Sequence, residues 1–188
     1  MTIYRALVDQ IAAELTQALA AVSADQVELL VQSIGQAQRL YVAGAGRSGW
    51  IMRACAVRLT HLGLPTHVVG DATTPAIGGG DLLMIGSGSG ETASLLSHAT
   101  RARRYGARMA LITAYPASSI GQQADVVVHI PAPTPKAAPT TGTAISLQPM
   151  ANLFEQSLLI VLDVVTMRLA EEMGTDPQRM FARHANLE

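Results

Sequence analysis

Lysine and cysteine are nearly missing from this chain of 188 residues, and charged side chains of either sign are sparse. Lys136 is the single lysine, Cys55 is the single cysteine, and charged residues form 14% of the sequence, with a net charge of −1. One cysteine cannot form an internal disulfide, and its place in a helical apolar pattern predicts a buried hydrophobic residue rather than a nucleophile. The near-zero net charge provides no basic field, so we expect neither nucleic acid nor a membrane surface as a partner.

A membrane-spanning stretch and an export signal are also missing. The sequence has no run of 18 apolar residues, and its first nineteen positions contain Asp9 and Glu14 in place of an apolar signal core. We therefore expect a cytoplasmic protein. The hydrophobic fraction of 49% indicates a globular chain with a buried core, and the mean hydropathy of +0.27 is high for a soluble monomer. Some of this apolar surface is expected to meet other subunits in a homo-oligomer.

The residues that are present follow an alternating order of helices and strands. Helical spacing of apolar residues predicts helices over 3–22, 24–36, 48–62, 90–105 and 151–173, a helical turn over 118–124, and a last short helix that begins at 176–177. Continuous apolar runs predict strands over 39–43, 66–69, 81–86, 107–113 and 125–130. Because such runs are buried on both faces, the pattern predicts an α/β fold with a doubly wound parallel sheet. One domain then spans 1–188, with N-terminal helices at 3–36, a sheet core at 39–130 and C-terminal helices at 151–183.

The segment from 81 to 98, DLLMIGSGSGETASLLSH, combines a buried strand, a glycine turn and a helix start. A helix N-terminus presents free backbone N–H groups, which favour an anion. The turn adds the hydroxyl groups of Ser87, Ser89 and Thr92, and hydroxyls together with N–H groups suit a phosphate monoester. A glycine- and serine-rich hairpin or linker is the alternative, but the strand before and the helix after the turn disfavour it.

A second turn of the same kind, GAGRSG at 44–49, matches the G-x-G-x-x-G dinucleotide fingerprint. Asp71 follows the next strand, about where an acidic residue would bind a ribose. An NAD-binding protein is therefore one interpretation, and plain strand-to-helix packing is another. Arg47 and Ser48 within the turn favour a third, in which they bind sugar hydroxyls or a phosphate oxygen. The chain is also too short to provide a substrate domain beside a dinucleotide site.

Residues 131–149 break the alternating order. They contain Pro131, Pro133, Pro135, Pro139 and Pro149 among alanines and threonines. This composition predicts an extended loop, and ordered loops of this length are often functional.

Taken together, the motifs resemble those of the sugar isomerase (SIS) domain family. The matching pieces extend over nearly the whole chain after residue 39: GAGRSG at 44–49, HLG at 61–63, DATTPAI at 71–77, GSGSGET at 86–92, LQPMANLFEQ at 147–156 and the terminal RHANLE. One departure is Ala151-Asn152, where smaller residues or a glycine-serine pair are expected.

The resemblance implies a flavodoxin-like three-layer αβα sandwich with a five-stranded parallel sheet, assembled as a homotetramer. It implies isomerisation of D-arabino-hex-3-ulose 6-phosphate to D-fructose 6-phosphate, the second step of formaldehyde fixation in the ribulose monophosphate pathway. It implies no cofactor and no metal. The implied contacts to the phosphosugar come from Gly46, Arg47 and Ser48 in the first turn and from Ser87, Gly88, Ser89, Gly90 and Thr92 in the second.

Moving a carbonyl between adjacent carbons needs a base for the carbon proton and a second acid/base for the oxygens of a cis-enediol. Glu155 is the predicted base, because it lies in the first turn of the 151–173 helix among apolar neighbours and matches the family. A glutamate that only complements the helix N-terminus is the alternative.

Two histidines that match the family, His61 and His184, are predicted to move protons between the enediol oxygens. His61 follows Arg47 by fourteen residues, so the two lie about 20 Å apart along one helix. One chain cannot easily use both at one site, and we therefore expect His61 to complete the site of a neighbouring subunit. His184, on the terminal tail, is expected to act across an interface as well. A capping or interface role is the alternative for either residue.

A regulatory SIS module that binds a sugar phosphate without converting it is the remaining alternative. Such a sensor needs the 86–92 loop but not Glu155.

Overall fold

The computed structural model describes residues 2–134 and 146–187. It contains a five-stranded sheet in which every neighbouring pair is parallel, in the order β2-β1-β3-β4-β5. The strands are β1 (Leu40–Gly44), β2 (Thr66–Val68), β3 (Leu82–Gly86), β4 (Arg108–Thr113) and β5 (Val126–His129). The helices are α1 (Ile3–Ala20), α2 (Ala24–Gly35), α3 (Gly46–Leu62), α4 (Ala93–Arg104), α5 (Asn152–Glu172) and α6 (Pro177–Phe181), with a 3₁₀ turn at Gly121–Gln123. This architecture confirms the predicted parallel α/β fold.

Helix starts are the main differences from the predicted elements. The helix expected from 48 begins at Gly46, and the helix expected from 90 begins at Ala93. The expected extended loop at 131–149 is described only at its two ends, and residues 135–145 of that prediction lie outside the described residues.

Two apolar cores, one on each face of the sheet, produce the three layers. Alternate strand residues such as Val42 and Met84 pack with α2, α3 and α5 on one face. The residues between them, such as Ala43 and Ile85, pack with α4 on the other face. Helix α1 packs outside this arrangement, mainly against α5. The continuous burial of β1 and β3 explains why their sequences lack an alternating pattern.

The order of the strands creates a crevice between β1 and β3. These strands are neighbours, but the helices that follow them, α3 and α4, lie on opposite faces of the sheet. In open parallel sheets, ligands bind at this switch in strand order, beyond the carboxyl ends of the strands.

Two glycines allow α3 to start directly against the end of β1. A Cβ atom at Gly44 would lie 2.8 Å from the Gly49 Cα, and one at Gly49 would lie 2.7 Å from the Gly44 carbonyl oxygen. Side chains are excluded at both positions by backbone contact. The packing interpretation of these two glycines is therefore correct, while the residues between them remain free to face the crevice.

Within the residues described, no helix combines the length and the apolar character needed to cross a bilayer.

Candidate active site

A cleft of about 390 Å³ occupies the crevice between β1 and β3. The strand register pairs Gly44 with Gly86, so the two glycine turns that follow these strands lie side by side. The lining comes from both turns, from α4, and from the segment that leads into α5. Its residues are Ala45, Gly46, Arg47, Ser48, Gly86, Ser87, Gly88, Ser89, Thr92, Leu95, Thr134, Met150, Ala151, Asn152 and Glu155.

The second turn is held by its own serine hydroxyls. The Ser87 Oγ accepts a hydrogen bond from the Gly90 N–H at 3.1 Å, and the Ser89 Oγ accepts one from the Glu91 N–H at 3.3 Å. Thr92 is the N-cap residue of α4, and its hydroxyl makes no capping hydrogen bond within the described structure. The start of a twelve-residue helix and an uncommitted hydroxyl therefore meet at the cleft, which suits an anionic group.

Gly88 and Gly90 have different places in this loop. Gly88 lines the cleft, and a Cβ there would lie 2.8 Å from the Thr134 Cγ2. Gly90 lies behind the cleft wall, with a φ of +63° and space so limited that a Cβ would lie 1.9 Å from the Ser118 Oγ. Its N–H is also bound to Ser87. Gly90 thus shapes the turn without lining the cleft, and direct contact with a ligand stays a prediction for both Gly88 and Gly90.

The carboxylate of Glu91 points away from the cleft. It is exposed and accepts a hydrogen bond from the Ser119 N–H at 2.6 Å, which lowers the pKa of the Glu91 carboxyl below its usual value. This hydrogen bond holds the negative charge of Glu91 on the side of the 86–92 loop that faces away from the cleft.

Glu155 lies in the first turn of α5 and reaches the cleft from the opposite wall. Only 12% of its side chain is exposed, and its Oε2 accepts a hydrogen bond from the Arg47 Nε at 2.5 Å. Arg47 is 67% exposed, in the first turn of α3. A largely exposed cation and a nearly buried carboxylate therefore face the same cleft as the hydroxyl-rich loop.

Thr134, Met150 and Asn152 are among the cleft residues that were not predicted from sequence as site residues. The Thr134 hydroxyl is buried and has no hydrogen-bond partner among the residues described. Met150 has a φ of +58°, which is unusual for a residue other than glycine. The signal that could have found Thr134 is its position shortly after β5, since strand ends at this edge of the sheet converge on the cleft.

The two predicted histidines lie together, but not in this cleft. His61, near the end of α3, and His184, on the terminal tail, have ring centroids 5.2 Å apart. Burial, followed by the nearby His184 and Arg58, lowers the pKa of His61. A second pocket of about 510 Å³ beside them is lined by His61, His67, Arg53, Asp71 and Arg183, among others. Within one chain, the structure brings His61 to His184 and separates both from the cleft that contains Glu155.

Asp71, the residue that would bind a ribose in an NAD-binding protein, also lies at the second pocket. Its carboxylate is paired with Arg53, with 2.9 Å between Oδ1 and Nη2. The cleft between the two turns therefore lacks the acidic residue of the dinucleotide fingerprint, and the NAD-binding interpretation has no support here.

No group of three or more His, Cys, Asp or Glu side chains that could hold a metal ion occurs in the two described ranges.

This fold and cleft define an SIS domain, and the family profile of that name matches residues 33–151. The chain belongs to the SIS domain family. It is 42% identical to the 3-hexulose-6-phosphate isomerase of Bacillus subtilis over 96% of this chain and 97% of that protein. It is 44% identical to the 3-hexulose-6-phosphate isomerase of Mycobacterium gastri, over 93% of this chain and 86% of the other.

A solved structure agrees with these relatives. The chain superposes on the crystal structure of a Methanococcus jannaschii protein, described as one that infers a 3-hexulose-6-phosphate isomerase function, with a TM-score of 0.81 and 28% identity. The superposition covers 96% of this chain and 98% of that one. The predicted family is thus confirmed along nearly the full length of the sequence.

Proposed function

We propose that this protein is an isomerase that interconverts D-arabino-hex-3-ulose 6-phosphate and D-fructose 6-phosphate through a cis-enediol. The observation that carries the proposal is the position of Glu155, a nearly buried carboxylate across one cleft from the hydroxyl-rich 86–92 loop. Relatives above 40% identity that bear the name of this isomerase support the same reaction. A sensor would need the loop but would gain nothing from the carboxylate.

The phosphate would bind at the start of α4. Ser87, Ser89 and Thr92 place hydroxyl groups there. Gly88 has no side chain, so the phosphate oxygens can approach its backbone. The helix N-terminus adds a favourable partial positive charge. The sugar then extends across the cleft towards the first turns of α3 and α5.

Glu155 would take the proton from C2 of the 3-hexulose and return a proton to C3. The double bond of the enediol forms between C2 and C3 as the C2 proton leaves and the carbonyl oxygen at C3 becomes a hydroxyl. The carbonyl of the product forms at C2 as its hydroxyl loses a proton. One carboxylate serves both carbons, and a second acid/base moves the proton between the oxygens.

Arg47 would exchange partners during binding. Its guanidinium is hydrogen-bonded to Glu155, so this carboxylate already has a partner before substrate binds. The substrate phosphate or a sugar oxygen offers Arg47 another partner, and Gly46 and Ser48 lie next to it on the cleft wall. Substrate binding would then release Glu155 for proton transfer.

His61 and His184 would supply the second acid/base from another subunit. They lie at the opposite end of α3 from Arg47, and burial lowers the pKa of His61, which favours its neutral imidazole form. A homo-oligomer, with a tetramer as the expected form, would bring this pair to a partner's cleft. Exposed apolar residues support such contacts, namely Ile3, Tyr4 and Leu7 on α1 and Val164 and Met167 on α5. A cytoplasmic role in formaldehyde assimilation by the ribulose monophosphate pathway is consistent with this chemistry.

The direct test is a coupled assay. The purified protein is given D-arabino-hex-3-ulose 6-phosphate, and the D-fructose 6-phosphate formed is measured through phosphoglucose isomerase and glucose-6-phosphate dehydrogenase as NADPH absorbance. We expect turnover that saturates with substrate. Binding of D-fructose 6-phosphate in calorimetry without interconversion would instead identify a sensor.

A further inference from the structure

A carboxylate on α1 is bound to the segment that leads into α5. Glu14 accepts three hydrogen bonds there: from the Ser146 hydroxyl at 2.6 Å, the Leu147 N–H at 3.1 Å and the Gln148 side-chain amide at 3.1 Å. The Ser146 hydroxyl also accepts a hydrogen bond from the Gln148 N–H at 3.1 Å. The carboxylate therefore organises a turn that is 132 residues away in sequence.

This turn is directly continuous with the rim of the cleft. Pro149 follows it, and then come Met150, Ala151 and Asn152, which line the cleft. The Asn152 N–H is bound to the Pro149 carbonyl at 3.3 Å. Only Pro149 separates Gln148, the last residue bound to Glu14, from Met150, the first residue of the rim.

The backbone of the rim needs support from both sides. Met150 has a φ of +58°, and a left-handed conformation at such a residue costs on the order of 1–2 kcal/mol. On one side the chain continues into α5, whose Leu153 and Phe154 are buried in the core. On the other side the described anchor is Glu14, so the conformation of Met150 depends on it.

We propose that Glu14 is a positioning residue of the active site, which fixes Met150, Ala151 and Asn152 at the rim of the cleft by binding residues 146–148. The functional part of this inference rests on the isomerase proposed above. The Ser146 hydroxyl and the other donors lower the pKa of the Glu14 carboxyl, which agrees with a carboxylate held in its charged form.

A carboxylate on the second helix offers a matched control. Glu28 on α2 is also bound to α5, through Arg168 at 3.1 Å, but near the end of α5 that is remote from the cleft. Glu28→Gln and Glu14→Gln each neutralise a carboxylate that joins an N-terminal helix to the α5 region. Only the second variant is expected to disturb the rim.

The first experiment measures the anchor without any substrate. Hydrogen–deuterium exchange is followed in peptides that cover 146–153, in the full chain and at one pH. We expect faster exchange in Glu14→Gln and in the milder Ser146→Ala, with Glu28→Gln close to the wild type. Unchanged exchange in both rim variants overturns the inference. A circular dichroism melt confirms that each variant is folded, and Ser146→Ala serves if Glu14→Gln is not.

The second experiment measures the consequence for the site. We expect the KM of the 3-hexulose phosphate and the Kd of D-fructose 6-phosphate to rise about tenfold in Glu14→Gln, the effect of one lost hydrogen bond to a charged group. The kcat is expected to stay within about twofold of the wild type, because the buried neighbours Leu153 and Phe154 hold the first turn of α5, and with it Glu155, in the core.

A double variant tests whether Glu14 and Ser146 act on the rim as one unit. Glu14→Gln combined with Ser146→Ala should raise KM and Kd little more than Glu14→Gln alone, since both changes break one hydrogen-bonded unit. Additive effects, or faster exchange without a rise in either constant, would overturn the positioning role. If the wild type binds D-fructose 6-phosphate without turnover, the proposed isomerase fails, while the exchange data and the Kd values still decide the role of Glu14.

Discussion

Arg47 and Glu155 form an ion pair in the lining of the cleft, with 2.5 Å between Nε and Oε2. Their positions are 108 residues apart in sequence, in the first turns of α3 and α5. The pair connects the two helix starts that face the hydroxyl-rich loop. Any ligand that competes for the guanidinium therefore changes the hydrogen bonding of the carboxylate.

Replacing Glu155 with Gln should remove catalysis while leaving binding in place. The amide keeps the size of the side chain but cannot accept the carbon proton, and a positioned acid/base contributes about 100- to 10,000-fold to a rate. We expect kcat to fall by that factor in the coupled assay. Calorimetry should show D-fructose 6-phosphate bound as tightly as before or more tightly, because Arg47 no longer has its carboxylate partner. Glu172→Gln, an exposed change on the same helix, is the control.

Replacing Arg47 with Gln should weaken binding of the phosphosugar. The variant lacks the cation that would meet a phosphate or sugar oxygen, so KM is expected to rise by about tenfold or more. Arg103 on α4 forms a surface pair with Asp125, and Arg103→Gln controls for the loss of one positive charge. A KM unchanged in Arg47→Gln would contradict a role for Arg47 in binding.

Mixing two inactive variants tests whether sites are shared between subunits. Glu155→Gln chains keep His61 and His184, and His61→Ala chains keep Glu155. If the histidines act in a partner's cleft, subunit exchange should create some complete sites and restore part of the activity. Mass spectrometry of the mixture should first show mixed oligomers. Mixed oligomers without recovered activity would refute the shared site.

Gly49→Ala should destabilise the junction of β1 and α3. The added methyl would lie 2.7 Å from the Gly44 carbonyl oxygen, so backbone must move, at a cost of about 1–3 kcal/mol in the free energy of unfolding. Urea denaturation measures this loss. Gly78→Ala is the matched control, because a Cβ there has nothing within 4 Å. Equal stability of the two variants would contradict the close packing.

Cys55 should be unreactive in the folded protein. Burial raises the pKa of its thiol to about 12, so the nucleophilic thiolate is scarce at pH 8. Alkylation by iodoacetamide should proceed only as fast as the protein unfolds and should become rapid in urea. Because folding raises the pKa of Cys55, the protonated thiol makes its full contribution to stability below the ordinary thiol pKa. This contribution is lost as the pH rises towards 12. Fast alkylation of the folded protein would contradict the burial.

The local features of the site could be predicted from the sequence. Each glycine turn directly follows a buried strand, so the 44–49 and 86–92 turns follow from short-range patterns, whereas their side-by-side placement depends on the strand order. The first residue of α4 was predicted less accurately. The N–H groups of Gly90 and Glu91 bind Ser87 and Ser89, which delays the helix to Ala93.

Contacts between distant segments could not be predicted from the sequence. The sequence spacing of Arg47 and Glu155 does not indicate an ion pair, because the crossing of α3 and α5 is set by tertiary packing. The contact between His61 and His184 depends in the same way on where the chain returns after α6. The roles of the predicted site residues themselves stay predictions until the variants above are measured.

The binding of Glu14 to residues 146–148 bears on how parts of this family can be exchanged. The family profile begins at residue 33, whereas Glu14 lies in α1, before that boundary. A chimera that transplants residues 33–151 into a relative would bring Met150 and Ala151 of the rim along and leave their proposed anchor, Glu14, behind. The transplantable unit is therefore longer than the shared domain, and designs that graft this cleft should take the first helix with it.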